Sequence, residues 1–373
     1  MPVSLDDNPL NRAKNYSNFK YTLSIAGILY SLFLLLIFLS SGLSNALQQA
    51  LFKLTTNTYW LLPLYIIIIS VAYYLLSLPI NFLESYALEH KFCLSNQKLG
   101  SWFFDQFKAG IISYVISLIA IEFFYYILKY YPHAWWLIAS VFWVFFGLIL
   151  AKLTPLVIIP LFFKYKRICD ETLKTRIINL AHKMEVKIID VFEIDFSSKT
   201  LKANAAFVGW GKSRRVILAD TLKDKYSYEE IEVILAHEFA HYKKRHLLKL
   251  ILINSLLTAL LFFIIFKTNN PVLRLFNISS LLEMSSLPVV LIYFIAFTIV
   301  MQPFQNYISR IFEKDADRAA LSITGFKEAF ISMMEKLSRQ NLSDRNPHPL
   351  IKIFFFDHPA VDERIALAES LFN

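Results

Sequence analysis

The sequence predicts a multi-pass α-helical membrane protein with an α+β segment inserted between its spans. Three observations lead to this prediction. Of the 373 residues, 56% are hydrophobic and only 18% are charged, whereas soluble domains carry about 25% charged residues. The apolar residues are concentrated in about six segments, each near the roughly 20 residues that a spanning helix needs. One long polar segment separates the fourth span from the fifth.

The candidate spans begin after a polar N-terminal stretch. They are about Tyr21–Leu39, Trp60–Phe82, Ala109–Leu128, Trp135–Pro160, Leu247–Phe266 and Leu287–Pro303. A single run of this kind could be a buried core helix, but six together exclude an ordinary soluble fold. We divide the chain into a membrane domain (residues 1–163), an α+β segment (164–246), two further spans (247–303) and a C-terminal helical segment (304–373).

The basic residues predict the orientation of the spans. Of 38 Lys and Arg, one set of loops holds only Lys53, Lys129, Lys267 and Arg274. Because cytoplasmic loops carry the excess of basic residues, we expect both chain ends and the polar segment to face the cytoplasm. The same asymmetry accounts for the net charge of +9, so we expect no nucleic-acid partner. The two cysteines are far apart and indicate neither a disulfide framework nor a thiolate metal site.

The polar segment shows the patterns of a small α+β unit. Helical periodicity covers Thr172–Met184. Three strands are predicted, at Lys187–Phe196, Ala203–Val208 and Arg215–Ala219, with a hairpin turn at Gly209-Trp210-Gly211-Lys212 between the last two. Ser227 with Glu230 three residues later forms a capping box, which opens a helix running towards His246.

That helix contains an HExxH motif, from His237 to His241. Positions i and i+4 share a helix face, so both imidazoles can bind one Zn²⁺ while Glu238 stands beside it. The alternative is two surface histidines on an amphipathic helix. His246 lies five residues after His241, which turns it away from the metal face of a continuous helix and favours a capping or interfacial role.

A catalytic zinc needs a third protein ligand and an open position for water. The acidic cluster after the sixth span runs from Glu313 to Asp317. These two are again i and i+4, so one can ligate while the other holds a ligand histidine from behind. Asp315 is expected to be a solvated charge. Alone, the cluster would more often be a solvated helix end, but it and the HExxH helix are predicted at the same membrane face.

At this point the sequence resembles the type-1 CAAX prenyl proteases, which are integral-membrane zinc endopeptidases with an HExxH…ExxxD pattern. The resemblance extends over nearly the whole chain, including Arg12–Ser17, Phe92–Ser101, Pro155–Phe162 and Pro303–Arg310. It implies one zinc per chain bound by His237, His241 and Glu313, and spans that enclose an intramembrane chamber. Eukaryotic members open with one further span, for seven in all, and Cys93 stands where the family usually has Gly.

Two further segments carry implied roles. Lys202–Gly209 is similar to the family's edge strand, which implies that Asn204 contacts substrate; its alternative is a turn residue at the start of a strand. Here the strand has Ala203-Asn-Ala-Ala206, where Ser-Asn-Ala-Tyr is usual. His358–Arg364 resembles the family's C-terminal motif, which implies that His358 and Arg364 face the active site and bind substrate.

These residues predict hydrolysis of a peptide bond by metal-activated water. Glu238 is expected to act as the base, and Asp317 to orient an imidazole or, as a weaker alternative, to donate a proton. The resemblance implies that His358 stabilises the oxyanion. We expect peptide or protein substrates, prenylated or plain, and a monomer in the lipid bilayer of a bacterial inner membrane or the endoplasmic reticulum. The alternatives are a heat-shock membrane metalloprotease and a non-catalytic membrane protein with a structural metal site.

Overall fold

The computed structural model describes residues 8–55, 57–209 and 214–372. Its helices within these ranges are α1 (Pro9–Ser40), α2 (Leu43–Leu54), α3 (Thr58–Phe82), α4 (Leu88–Lys91), α5 (Leu99–Tyr130), α6 (Trp135–Leu153), α7 (Glu171–Lys183), α8 (Tyr228–Lys243), α9 (His246–Arg274), α10 (Leu287–Thr324), α11 (Lys327–Asn341), α12 (Pro349–Phe355) and α13 (Val361–Leu371).

Among the residues that the structure describes, six helical segments are long and apolar enough to cross a membrane. They are Pro9–Ser40, Tyr59–Lys91, Leu99–Tyr130, Trp135–Leu161, His246–Arg274 and Met284–Thr324. The six predicted spans are thus confirmed by length and composition, but several helices extend beyond them. Hydropathy marks only the apolar part of a helix, whereas the backbone hydrogen bonds continue into the polar residues that follow. The last of these segments therefore carries the acidic cluster on the same helix as the sixth span.

An apolar space of about 350 Å³ lies among α5, α6, α9 and α10, with Phe124, Trp143, Phe262 and Phe294 in its lining. Aromatic rings from three of these helices pack around Phe262, whose side chain is fully buried. The larger chamber implied by the family resemblance stays a prediction.

The polar segment forms a four-stranded sheet in the order β1-β2-β4-β3. The strands are β1 (Tyr165–Arg167), β2 (Val191–Ile194), β3 (Ala205–Val208) and β4 (Arg215–Ala219). β2 and β4 are parallel, and the two outer pairs are antiparallel. The sequence does not predict β1, because three residues are too few to show a hydrophobic pattern. The expected hairpin turn after Gly209 falls mostly on residues 210–213, which lie outside the described residues.

One hydrophobic core joins the sheet to helices of the α+β segment and of the C-terminal helical segment, namely α7, α8, α10, α11 and α13. Within it, α8 contacts α10. Both helices place buried alanines in this core, Ala236 and Ala240 on α8 and Ala316 and Ala320 on α10. Such small side chains allow two helix backbones to approach closely. This packing brings the HExxH helix against the acidic cluster.

The prediction that the HExxH helix runs on to His246 is wrong. The capping box at Ser227 and Glu230 is present, but α8 ends at Lys243 and His246 is the first residue of α9. Between them Arg245 adopts a left-handed backbone conformation with φ of 56°, which ends a right-handed helix. The chain therefore changes direction just before the fifth span.

Candidate active site

Three side chains on α8 and α10 direct donor atoms towards one point. His237 and His241, one turn apart on α8, and Glu313 on α10 each offer a ligand atom, and these atoms lie within 4.8 Å of one another. His237 Nε2 lies 3.1 Å from Glu313 Oε2, and His241 Nε2 lies 3.1 Å from Glu313 Oε1. Local helix spacing brings the two imidazoles together, whereas helix packing supplies the carboxylate.

The donor set fits a catalytic zinc ion. Two imidazoles and one carboxylate are a known ligand set of catalytic zinc, with a fourth position left open for water or substrate. Glu313 Oε2 is buried and makes no hydrogen bond with any described residue, which leaves a buried anionic oxygen to be compensated. A cation between the three donor atoms would compensate it.

His237 is held from behind by a buried ion pair. Its Nδ1 lies 2.8 Å from Asp317 Oδ1, and Arg364 donates to both Asp317 oxygens, with N···O distances of 2.7 and 2.5 Å. Asp317 is 0% exposed. Burial lowers the pKa of His237, but the hydrogen bond to Asp317 and the nearby carboxylate of Glu313 outweigh it and raise that pKa to about 9. A metal cation at Nε2 therefore competes with a proton.

His241 is held by a different group. Its Nδ1 lies 3.0 Å from Nδ1 of His246, and the other nitrogen of His246 lies 3.2 Å from Asp315 Oδ2. Asp315 also forms an ion pair with Lys244. His246 lies outside the three clustered donor residues, in keeping with the expectation that it turns away from the metal face. The break at Arg245 nevertheless places it behind His241, a position that the spacing on a continuous helix does not predict. Asp315 is paired as well, so the expectation of a merely solvated charge is wrong.

Glu238 lies beside the donor atoms and lines a cavity of about 200 Å³. Burial raises the pKa of its carboxyl group, and the neighbouring His237 and His241 oppose part of that rise. The cavity is also lined by His237, Asn204 and Arg364, with Met333 and Leu337 among its apolar lining residues. The base expected from the HExxH motif thus faces a space open to a ligand.

Asn204 immediately precedes β3, which is an edge strand of the sheet. The Ala219 N–H donates to the Asn204 carbonyl over 3.0 Å. Because inward and outward backbone groups alternate along an antiparallel strand, the N–H and carbonyl of Ala203 and Ala205 point away from the sheet. The Asn341 side chain accepts from the Ala203 N–H at 3.0 Å and donates to its carbonyl at 3.4 Å. Sequence reasoning missed Asn341, since nothing local marks it.

His358 approaches the donor atoms from the segment before α13. Its Nε2 lies 3.3 Å from Glu313 Oε2, and its Nδ1 lies 2.8 Å from Asp357 Oδ1. Burial lowers the pKa of His358, but Asp357 and Glu313 together outweigh it and raise that pKa. The His358 side chain remains 51% exposed, so it borders the open side of the site.

Comparison with known proteins identifies the family. Residues 168–371 match peptidase family M48, and residues 3–164 match the CAAX prenyl protease N-terminal domain, described by five membrane helices. Among relatives, the uncharacterized metalloprotease YhfN of Bacillus subtilis is 30% identical, over 96% of this chain and 84% of the relative. CAAX prenyl protease 1 of Saccharomyces cerevisiae is 27% identical, over 97% of this chain and 86% of the relative.

The fold matches a solved structure as well. The crystal structure of S. mikatae Ste24p superposes with a TM-score of 0.88 at 24% identity, covering 99% of this chain and 92% of the other. The predicted resemblance to the CAAX prenyl proteases is thus confirmed, and the alternative readings are not better supported. The chain belongs to peptidase family M48 and is a zinc metalloendopeptidase of the multi-pass membrane type.

Proposed function

We propose that this protein hydrolyses peptide bonds near the C-terminus of protein or peptide substrates, using one zinc ion held by His237, His241 and Glu313. The observation that supports this most directly is the convergence of two imidazole nitrogens and a carboxylate within 4.8 Å, beside a partly buried Glu238. When bound, zinc supplies Lewis acidity and makes water acidic enough to react at neutral pH.

Glu238 serves as the general base and then as the acid. Its carboxylate accepts the proton of the attacking water and returns it to the amine that leaves. Its environment suits this task, because burial raises the pKa of the carboxyl group towards the operating pH. The motif places it one residue after His237, so it is held by the same helix that carries two ligands.

The groups around the ligands have separate tasks. Asp317 orients His237, and this role is favoured over proton donation because both its oxygens are already engaged by His237 and Arg364. His358, whose Nε2 faces the donor atoms, stabilises the developing oxyanion. Arg364 lines the cavity while it holds Asp317, so it contacts substrate from the side of His237.

Substrate binds as an added strand along the free edge of β3. The outward N–H and carbonyl of Ala205 supply main-chain hydrogen bonds to an extended peptide, and the exposed Asn204 supplies a side-chain contact. The name of the yeast relative, CAAX prenyl protease 1, leads us to propose CAAX-type processing for this chain too. In this proposal the protein acts as a monomer, and its active site faces the cytoplasm.

A peptide panel tests the activity. The full chain in detergent or vesicles is given prenylated and plain peptides that end in a CAAX box, and the product masses locate the cleaved bond. We expect cleavage near the C-terminus that a chelator stops and Zn²⁺ restores. Replacement of Glu313 by Gln should lower the zinc content per chain. Cleavage that persists in zinc-free protein would contradict the proposal.

Cysteine labelling tests the orientation. Cys169 is exposed in the inserted segment, and a membrane-impermeant maleimide should reach it only after cells are opened. Because Cys93 is also exposed, it is replaced by Ser, so that only the Cys169 thiol can be labelled. A cysteine introduced at Ser279, between α9 and α10, is the control and should react in intact cells. The reverse labelling would contradict the orientation.

A further inference from the structure

The group behind His241 has no role in the proposed reaction. We propose that His246 and Asp315 are positioning residues for the metal ligand His241: they hold its ring and direct its Nε2 lone pair towards the metal. The inference rests on the proposed zinc site and adds a relay of side chains behind one ligand. The relay runs from Asp315 through His246 to His241 Nδ1, with contacts of 3.2 and 3.0 Å.

The hydrogen-bond directions in this relay follow from the chemistry of its members. An ionised carboxylate only accepts, so the proton on His246 Nε2 is donated to Asp315. A neutral imidazole carries one N–H, which leaves His246 Nδ1 as an acceptor for the N–H at Nδ1 of His241. The remaining nitrogen of His241, Nε2, then presents a lone pair towards His237 and Glu313.

The surroundings of His246 hold its ring in one orientation. The residue is 1% exposed, and its ring stacks on Phe312 with centroids 4.5 Å apart and planes at 8°. Phe312 precedes the ligand Glu313 on α10, so the ring that supports His246 and the carboxylate that binds the metal share one helix turn. Lys244 pairs with Asp315 from the other side.

The backbone at Arg245 makes the relay possible. On a continuous helix, a residue five positions after His241 is rotated away by about 140°. The left-handed Arg245, with φ of 56°, ends α8 and lets His246 begin α9 facing back. Non-glycine residues rarely adopt this conformation, and the strain is compatible with a structure that needs His246 at this place.

The two ligand imidazoles therefore have parallel supports. A carboxylate of Asp317 meets His237 Nδ1 directly at 2.8 Å, whereas a carboxylate of Asp315 reaches His241 Nδ1 through an intervening imidazole. Partners behind ligand histidines raise metal affinity about 10- to 100-fold. We infer that His246 contributes an effect of this size at His241.

Zinc affinity of the full chain tests the inference, measured by competition with a chromophoric chelator. His246→Phe keeps an aromatic ring but removes both nitrogens, and it should weaken zinc binding about 10- to 100-fold. His246→Gln can still donate and accept, and it should recover part of that loss. The zinc affinity of Asp315→Asn should lie between that of His246→Gln and that of the wild type. Lys314→Gln, exposed on the same turn, is the matched control and should bind zinc as the wild type does.

Two further measurements separate the possible failures. The thermal melt of the metal-free variants reports folding, and it should match that of the metal-free wild type for Asp315→Asn even if His246→Phe is destabilised. His241→Ala reports the site itself and should lose zinc binding. If His241→Ala loses zinc while His246→Phe and Asp315→Asn bind it within twofold of the wild type, the relay is overturned and the zinc site stands. If His241→Ala still binds zinc normally, both are overturned.

Discussion

The active site has two walls that differ in burial. The wall formed by α8 and α10, which carries the proposed metal ligands, is closed: His237 is 8% exposed and Asp317 is 0% exposed, and the imidazoles of His237 and His241 are each held at Nδ1. The wall formed by β3 and the segment before α13, along which we propose that the peptide binds, is open: Asn204 is exposed, and the His358 side chain is 51% exposed. The hydrogen-bonded imidazoles of the closed wall are held in place, whereas the exposed side chains of the open wall are accessible to a substrate.

This contrast predicts that changes in the closed wall alter chemistry or metal content, and that changes in the open wall alter substrate binding.

The largest expected effect is that of Glu238→Gln. The amide cannot accept the proton of the attacking water, so kcat should fall about 10²- to 10⁴-fold, while zinc content stays at the wild-type value. Peptide cleavage and zinc per chain are measured on the same preparation. Glu229→Gln, exposed at the start of the same helix, is the control. Cleavage retained by Glu238→Gln would contradict the assignment of Glu238 as the general base.

His358→Ala is the sharpest test of the contrast between the closed and the open wall. The residue lies on the open wall, yet its Nε2 faces Glu313 at 3.3 Å. Loss of an oxyanion donor costs about 10²- to 10³-fold in kcat, and we expect that drop with little change in KM. His182→Ala, an exposed histidine in the last turn of α7, is the control. A change confined to KM would instead assign His358 to peptide binding, in line with the rest of its wall.

Asp317→Asn should chiefly affect the metal. The neutral amide is a poorer acceptor for His237 Nδ1–H and leaves the largely buried Arg364 side chain without its counter-charge, so zinc affinity should fall about 10- to 100-fold. Breaking a buried ion pair also costs about 3–5 kcal/mol of folding stability. Chelator competition and a thermal melt measure the two effects, and Glu335→Gln, in an exposed pair with Arg339, is the control. Unchanged zinc affinity would mean that Asp317 does not support the ligand.

Asn204→Ala should have the smallest effect. Removal of one hydrogen bond to substrate is worth about 0.5–1.5 kcal/mol, which corresponds to about a two- to tenfold rise in KM, with zinc content and kcat nearly unchanged. Initial rates over a range of peptide concentrations separate KM from kcat. Asn179→Ala, exposed on α7 away from the cavity, serves as the control. A loss of zinc from Asn204→Ala would show that the two walls are not independent.

The accuracy of the sequence predictions follows the range of the interactions involved. The spans and the capping box at Ser227 depend on local hydropathy and hydrogen bonding, and the structure reproduces them. The strand β1 and the role of Asn341 depend on partners remote in sequence, and neither was predicted. The contact of His246 with His241 could not be predicted, because the spacing rule assumes an unbroken helix and no glycine or proline marks the break at Arg245.

The sequence by itself determined the membrane class, the HExxH helix and the shared face of His237 and His241, because hydropathy and the i to i+4 spacing are properties of short stretches of chain. Only the tertiary structure decided which carboxylate meets those imidazoles and what stands behind each of them. Packing of α8 on α10 brings Glu313 and Asp317 to His237, and the left-handed turn at Arg245 brings His246 to His241. Both depend on contacts between separate elements, which no local pattern encodes.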